Sequence, residues 1–236
     1  MRKILTLVSL LSVISFNASA LDISDISATV GVAANSAVYG ASAKETNRNQ
    51  SNVIKTVKKE SGVFTDSHAS GFIELNVGEF VSLGLEHTPD SISTPTVDRT
   101  TNLNRTTTVS VDFNDLNIAY LKLNTPFGVY VKAGIVETDV DVKESMAKGA
   151  TSGVASTYNN VSTEGTIVGV GFARAIGDTP ASIRLEGSYM QLDDVTSSNG
   201  VSPTGGTLAN GGRNQVDASN LEGLNAKIAL TFTLGK

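Results

Sequence analysis

Eight ionisable side chains recur in segments that alternate polar and apolar residues. They are Glu74, Glu86, Asp112, Lys122, Lys132, Arg184, Glu186 and Lys227. Successive side chains of a β-strand point to opposite faces, so each charge would lie opposite an apolar face. Charges that share a face away from water must pair, because an orphaned partner costs about 3 to 5 kcal/mol. We therefore predict that these charges form one network inside a barrel. Lys122 joins this network through the register shift of a β-bulge.

Residues 181–192 show this alternation most clearly. Ile183, Leu185 and Tyr189 fall on one face of a strand, whereas Arg184 and Glu186 fall on the other. The apolar face needs an apolar partner, either lipid or a second sheet. Only 17% of the residues are charged, which favours lipid over a soluble surface. The net charge is −5, and Cys is absent, so the fold does not depend on disulfides. A secreted soluble barrel or sandwich with inverted faces remains the alternative.

The histidines are the other candidates for chemistry. His68 has Asp66 and Ser70 at the same strand parity. Residues two apart on a strand are about 7 Å apart, too far for the hydrogen-bonded nucleophile and base that acyl transfer needs. We expect no enzyme, catalytic residue, metal or cofactor, and a lipid A-modifying enzyme is the least favoured alternative. The chain also lacks the basic and aromatic interleaving typical of nucleic-acid binding.

The amino terminus has the pattern of a secretory signal peptide. Arg2 and Lys3 precede an apolar stretch at residues 4–16, and small residues 18–20 follow it. This stretch is shorter than the about 20 residues that a membrane-spanning helix needs. We predict cleavage between Ala20 and Leu21, which leaves a signal peptide at residues 1–20 and a barrel domain at residues 21–236.

The remaining sequence predicts eight strands joined by alternating long and short connections. The predicted strands are residues 26–39, 68–76, 80–88, 106–123, 129–142, 166–174, 181–192 and 216–234. The alternation slips at residues 114–116, which we interpret as a bulge; a turn there would make ten strands. Long connections at every second position put all long loops at one end of an antiparallel meander, as in outer-membrane barrels.

This combination resembles the small eight-stranded outer-membrane barrels, of the OmpA transmembrane domain and OmpX type. The resemblance covers residues 21–236 and implies an all-β, up-and-down transmembrane barrel in the envelope of a Gram-negative cell. It implies outer-membrane lipid, lipopolysaccharide and the barrel-assembly machinery as partners. One departure is the carboxyl terminus, where Phe232 and Leu234 stand in place of a terminal aromatic residue.

The expected function follows from the size of the barrel. Side chains fill the interior of an eight-stranded barrel, so we expect a largely plugged lumen. We therefore favour a structural or surface-interaction protein that acts through long extracellular loops on an unknown ligand. A small porin-like channel for ions or small solutes is the alternative.

Overall fold

A computed structural model describes residues 25–48, 52–100, 106–146, 158–199 and 213–235. The predicted signal peptide and its cleavage site at Ala20 and Leu21 lie outside the described residues. The strands are β1 (Ile26–Arg48), β2 (Ile54–Val77), β3 (Val81–Thr88), β4 (Ile92–Ser93), β5 (Val97–Thr100), β6 (Thr106–Asn124), β7 (Val129–Met146), β8 (Val161–Ala175), β9 (Ala181–Leu192), β10 (Val195–Ser198) and β11 (Arg213–Leu234).

Eight of these strands close into a ring. Their order is β1, β2, β3, β6, β7, β8, β9 and β11, every pair is antiparallel, and β1 pairs with β11 to complete the circle. The short β4 and β5 continue along β6, and β10 pairs with β11. The predicted eight-stranded, up-and-down β-barrel is thus confirmed.

The interruption in β6 is a bulge, as predicted. The strand runs without a turn from Thr106 to Asn124, and its register with β7 shifts between Asn114 and Asn117. Asp115 takes up the extra length with a positive φ of 51°. Because a bulge adds one unpaired residue, side chains on its two sides exchange faces relative to a simple alternation.

The two faces of the wall differ in polarity. Val131 and Leu185 are 51% and 54% exposed on the outside, and similar apolar residues surround the barrel. Their neighbours Lys132 and Glu186 are only 3% and 8% exposed because they point into the lumen. An exposed apolar belt around a closed barrel is the surface that hydrocarbon covers. Among the described residues, no helix has the length and hydropathy needed to cross a membrane.

The strands reach further beyond the belt than predicted. We expected residues 40–67 to form a polar loop, but β1 continues to Arg48 and β2 begins at Ile54, with paired backbones throughout. Above the hydrocarbon a strand needs no apolar face, because water solvates its side chains while the ladder satisfies its backbone. The change from apolar to polar residues therefore marks the edge of the apolar belt and not the ends of β1 and β2.

The wall contains a seam beside β2. In the described chain, β2 pairs with β3 only from Gly71 to Val77, although β2 continues to Ile54 on the outer side. After β3 ends at Thr88, the chain follows β6 through β4 and β5 and leaves that edge of β2 without a ladder partner. Pro89 and Pro95 lie on the two sides of β4 in this segment, and proline removes a ladder donor. The seam lies in the outer half of the barrel.

Candidate functional site

The half of the lumen nearer the tight turns holds a charge layer, which is built on alternate residues of several strands. One group forms around Glu86 of β3. Lys227 of β11 donates to both Glu86 carboxylate oxygens at 2.6 Å, and Ser70 donates to one of them at 2.8 Å. Lys132 of β7 pairs with Glu186 of β9 and lies 3.6 Å from Glu86. Lys227 also lies 3.5 Å from Glu186, so these four charges form a neutral quartet.

A second group forms around Glu74 of β2. Arg184 of β9 donates from Nη1 and Nη2 to the two Glu74 oxygens at 2.7 and 2.8 Å. Lys122 of β6 donates to the same carboxylate at 2.6 Å, and the Tyr120 hydroxyl donates at 2.8 Å. One acid is thus shared by two cations. The fork of Arg184 fits the carboxylate in the strong bidentate geometry.

Aromatic rings hold these cations in position. The ammonium of Lys132 lies 4.9 Å from the Tyr120 ring centre, and that of Lys122 lies 5.4 Å from the Tyr130 ring centre. Such contacts favour the charged form of a cation in a desolvated site. The Tyr130 hydroxyl also donates to Glu186 at 3.0 Å. The charge layer is therefore a packed network of ion pairs and aromatic rings.

Glycines make room for the rings. A Cβ atom on Gly84 would lie 2.2 Å from the Tyr120 ring, and one on Gly171 would lie 2.3 Å from the Tyr130 ring. Sequence alternation assigns these glycines to the lumen but does not reveal that they face an aromatic ring. Tyr120 and Tyr130 were missed as members of the site for the same reason.

Asp112 is the member of the expected set that the structure does not bring into the network. Phe113, next to it on β6, packs against the apolar interior, so Asp112 faces the other side of the wall. Its ion-pair partner is Lys143. The bulge between Asn114 and Asn117 puts Asp112 and Lys122 on opposite faces of the wall. The lumen network therefore contains three acids and four bases, whereas four acids and four bases were expected.

The ion pair of Asp112 lies beyond the membrane-spanning part of the wall. Burial acts to raise the pKa of the Asp112 carboxyl, but hydrogen bonds from Lys143 and Ser93 and the charge of Lys143 lower the pKa below its ordinary value. The pKa of Lys143 is raised, first by its hydrogen bond to Asp112 and then by the charge of that carboxylate. This pair joins β6 to β7 on the face of the wall that points away from the lumen.

An apolar layer lies directly above the charges. It contains Tyr39, Leu116, Ile118, Val136, Ile167, Met190 and Leu192, all buried. Along β7 the order is Lys132 in the charge layer, Val136 in the apolar layer, and Val140 and Val142 above it. The upper lumen is thus apolar on its inner face, which the sequence analysis did not predict.

Above this layer the lumen widens into a cavity of about 310 Å³ that we call the outer chamber. Its wall is mostly apolar and includes Phe64, Phe113, Val140, Val142, Val216 and Leu221. Val63 and Pro95, on the two sides of the seam, also line it. Val63 is 73% exposed. The chamber therefore reaches the outer surface of the wall through the seam.

The arrangement around His68 differs from that of a catalytic triad. His68 Nδ1 lies 3.6 Å from Asp66 Oδ2, whereas the Ser70 hydroxyl donates to Glu86 in the charge network. In the described part of the chain, no group of three or more His, Cys, Asp or Glu residues is arranged to hold a metal ion.

The closed ring, the lumen charges and the exposed apolar belt define a transmembrane β-barrel of the outer-membrane class. The predicted outer-membrane location is thereby confirmed. The tight turns lie at one end of the barrel and the long connections at the other. In outer-membrane barrels the short turns are periplasmic and the long loops are extracellular.

A solved outer-membrane protein has the same fold. OprG from Pseudomonas aeruginosa matches with a TM-score of 0.54 and 14% identity, over 90% of this chain and 99% of that chain. Two further outer-membrane proteins match less closely. Ail of Yersinia pestis has a TM-score of 0.34 and 9% identity, over 85% and 98% of the two chains. Neisserial surface protein A has a TM-score of 0.32 and 9% identity, over 84% and 96%. No protein-family model and no curated protein matches the sequence. The resemblance to the OmpA and OmpX type in particular stays a prediction.

Proposed function

We propose that this chain binds a small apolar molecule in the outer chamber and does not act as an open pore. The observation that carries the proposal is the apolar chamber above a closed charge layer. The lumen of an outer-membrane barrel is ordinarily polar, so inward-facing Val140, Val142 and Leu221 call for an apolar occupant. A volume of about 310 Å³ is at the lower end of the range for small-molecule sites.

The seam supports the same proposal. It gives the chamber a lateral opening between β2 and the segment around Pro95, in the part of the barrel that extends above the apolar belt. A small apolar molecule can enter or leave the chamber through this opening. The exposed apolar side chain of Val63 lines this opening.

The charge layer argues against the porin-like alternative. Glu74, Lys122 and Lys132 are each 3% exposed, and their charges are paired across the lumen. A solute would have to break these pairs to pass. We therefore expect no conductance steps from the wild-type barrel in planar bilayers, and regular steps would favour the channel.

The surface role through extracellular loops stays a prediction, because the loop tips at residues 49–51, 101–105, 147–157 and 200–212 lie outside the described residues. The absence of catalytic activity and the partnership with lipopolysaccharide and the assembly machinery also stay predictions. Apolar binding is compatible with each of them, since the chamber uses inward-facing side chains.

A photoreactive alkyl diazirine tests the proposal on the barrel reconstituted in lipid vesicles. We expect the probe to label Val140, Val142 and Val216 in a saturable way that excess unreactive hydrocarbon suppresses. Labelling of the lipid-facing Val131 and Leu185 should rise without saturation. Each labelled peptide is identified by mass spectrometry.

A substitution that fills the chamber tests whether the probe binds there. Ala218 lines the chamber, so Ala218→Trp puts a large ring into it. Ala34→Trp adds the same ring on the exposed outer face of the wall. We expect Ala218→Trp to abolish the saturable labelling and Ala34→Trp to keep it. Equal labelling in both variants, or labelling of the belt alone, would disprove apolar binding in the chamber.

A further inference from the structure

The periplasmic end of the lumen contains a second cavity, which we call the inner vestibule. It has a volume of about 350 Å³. Lys122 and Arg184 form its charged end, next to Glu74, and Ser27, Thr29, Asn76 and Asn124 supply polar walls. The outer chamber and the proposed function make no use of this cavity.

We infer that the inner vestibule binds a small oxyanion from the periplasmic side, held by Lys122 and Arg184. The first argument is charge. Glu74 is the carboxylate shared by both cations, and the quartet around Glu86 is already neutral, so one positive charge is left over at the vestibule. The side chains of Lys122 and Arg184 are only 4% and 11% exposed, so water screens this charge weakly.

The second argument is hydrogen bonding. Lys122 has three N–H donors, and its hydrogen bond within the described residues goes to Glu74. Arg184 uses Nη1 and Nη2 on Glu74, while its buried Nε has no hydrogen-bond partner in the described part of the chain. A buried donor without a partner is costly, and an oxyanion offers several acceptors at once.

The third argument is that the neighbouring walls are neutral. The amide of Asn76 donates to Ser27 and Thr29, and Ser82 donates back to Asn76. One acid, Glu79, also lines the vestibule, but it is exposed on the tight turn between β2 and β3. Water screens its charge there, so it does not neutralise the two buried cations.

The absence of tryptophan from the chain permits a local test. Phe80 lines the vestibule and is 56% exposed. Phe80→Trp therefore puts the single tryptophan of the chain beside the proposed site, and excitation at the red edge of its absorption avoids the tyrosines. In refolded detergent-bound protein, its quenching by iodide reports the local anion concentration, and quenching by neutral acrylamide reports access alone.

In this background Arg184→Gln removes the excess charge and leaves Lys122 paired with Glu74. We expect iodide quenching to fall on the order of threefold, the effect of one unit charge on an exposed probe at the mouth of the vestibule. Acrylamide quenching should not change. Lys122→Gln should act in the same way, and it decides the question if Arg184→Gln does not fold. Unboiled gel migration establishes which variants are folded.

The matched control is Arg174→Gln. Arg174 carries the same charge near the same end of the barrel, but it is exposed on the outer face. We expect no change in iodide quenching. Inorganic phosphate at constant ionic strength should suppress iodide quenching in the Phe80→Trp protein and have no effect after Arg184→Gln. Equal effects of Arg174→Gln and Arg184→Gln, or no effect of phosphate on the Phe80→Trp protein, would overturn the oxyanion site.

Discussion

Arg184 and Glu74 are separated by 110 residues in the sequence, yet two parallel hydrogen bonds of 2.7 and 2.8 Å join them across the lumen. β2 and β9 are not neighbours in the ring, so this contact depends on the curvature of the closed wall. The pair ties opposite parts of the barrel together at the level where the vestibule ends.

Removing the Glu74 charge should destabilise the barrel strongly. Glu74→Gln leaves Lys122 and Arg184 buried without their shared carboxylate, and breaking such a buried pair costs about 3 to 5 kcal/mol. Urea unfolding of the refolded protein measures the loss. Glu79→Gln, on the exposed tight turn between β2 and β3, is the matched control, and it should change stability by no more than about 0.5 kcal/mol. Equal losses in the two variants would contradict the structural role of Glu74.

Adding one methyl group at Gly84 should disturb the same network. A Cβ atom there would lie 2.2 Å from the Tyr120 ring, whose hydroxyl donates to Glu74. Overpacking of this kind costs about 1 to 3 kcal/mol, and we expect Gly84→Ala to lower the urea midpoint accordingly. At Gly71 a Cβ would have no described atom within 4 Å. Gly71→Ala should therefore keep the midpoint, and a similar loss there would show that glycine flexibility matters more than ring packing.

The ion pair of Asp112 and Lys143 should make stability depend on pH. Because the pKa of Asp112 is lowered in the folded barrel, the pair stabilises the fold above the ordinary aspartate pKa of 3.8. This stabilisation is lost as the pH falls through the lowered pKa. The difference in urea midpoint between wild type and Asp112→Asn should therefore be present at neutral pH and vanish in acid. Lys143→Met should reproduce the neutral-pH loss without adding to it in the double variant; additive losses would argue against the pair.

Deleting one complete ion pair should open the lumen. Glu86→Ala with Lys227→Ala removes one acid and one base, so Lys132 and Glu186 keep each other as partners. We expect conductance steps in planar bilayers that wild type lacks, because the space of two long side chains fills with water. The control removes Asp112 and Lys143 together, a pair outside the charge layer, and should remain silent. Silence of both double variants would mean that the apolar layer alone seals the barrel.

Strand alternation alone was enough to predict the class of fold and the two faces of the wall. In β9, which has the predicted bounds, Leu185 is exposed on the belt while Arg184 and Glu186 point inward. Alternation is a local property of extended backbone, so the order of residues determines it before any contact forms. The same property predicted the bulge in β6, because a one-residue slip in polarity has no other local explanation.

The tertiary structure decided which charges meet and which leave the set. Glu74 pairs with Lys122 and Arg184 because closure of the ring and the stagger of its strands bring these three positions to one level. Asp112 left the lumen because the bulge reversed its face. The apolar layer and chamber were not predicted, because the apolar face of β7 changes sides along the strand: Val131 is exposed on the belt, whereas Val136 and Val140 are buried in the lumen. Alternation specifies the side of the wall for each residue, whereas height and partner across the lumen depend on strands that are distant in the chain.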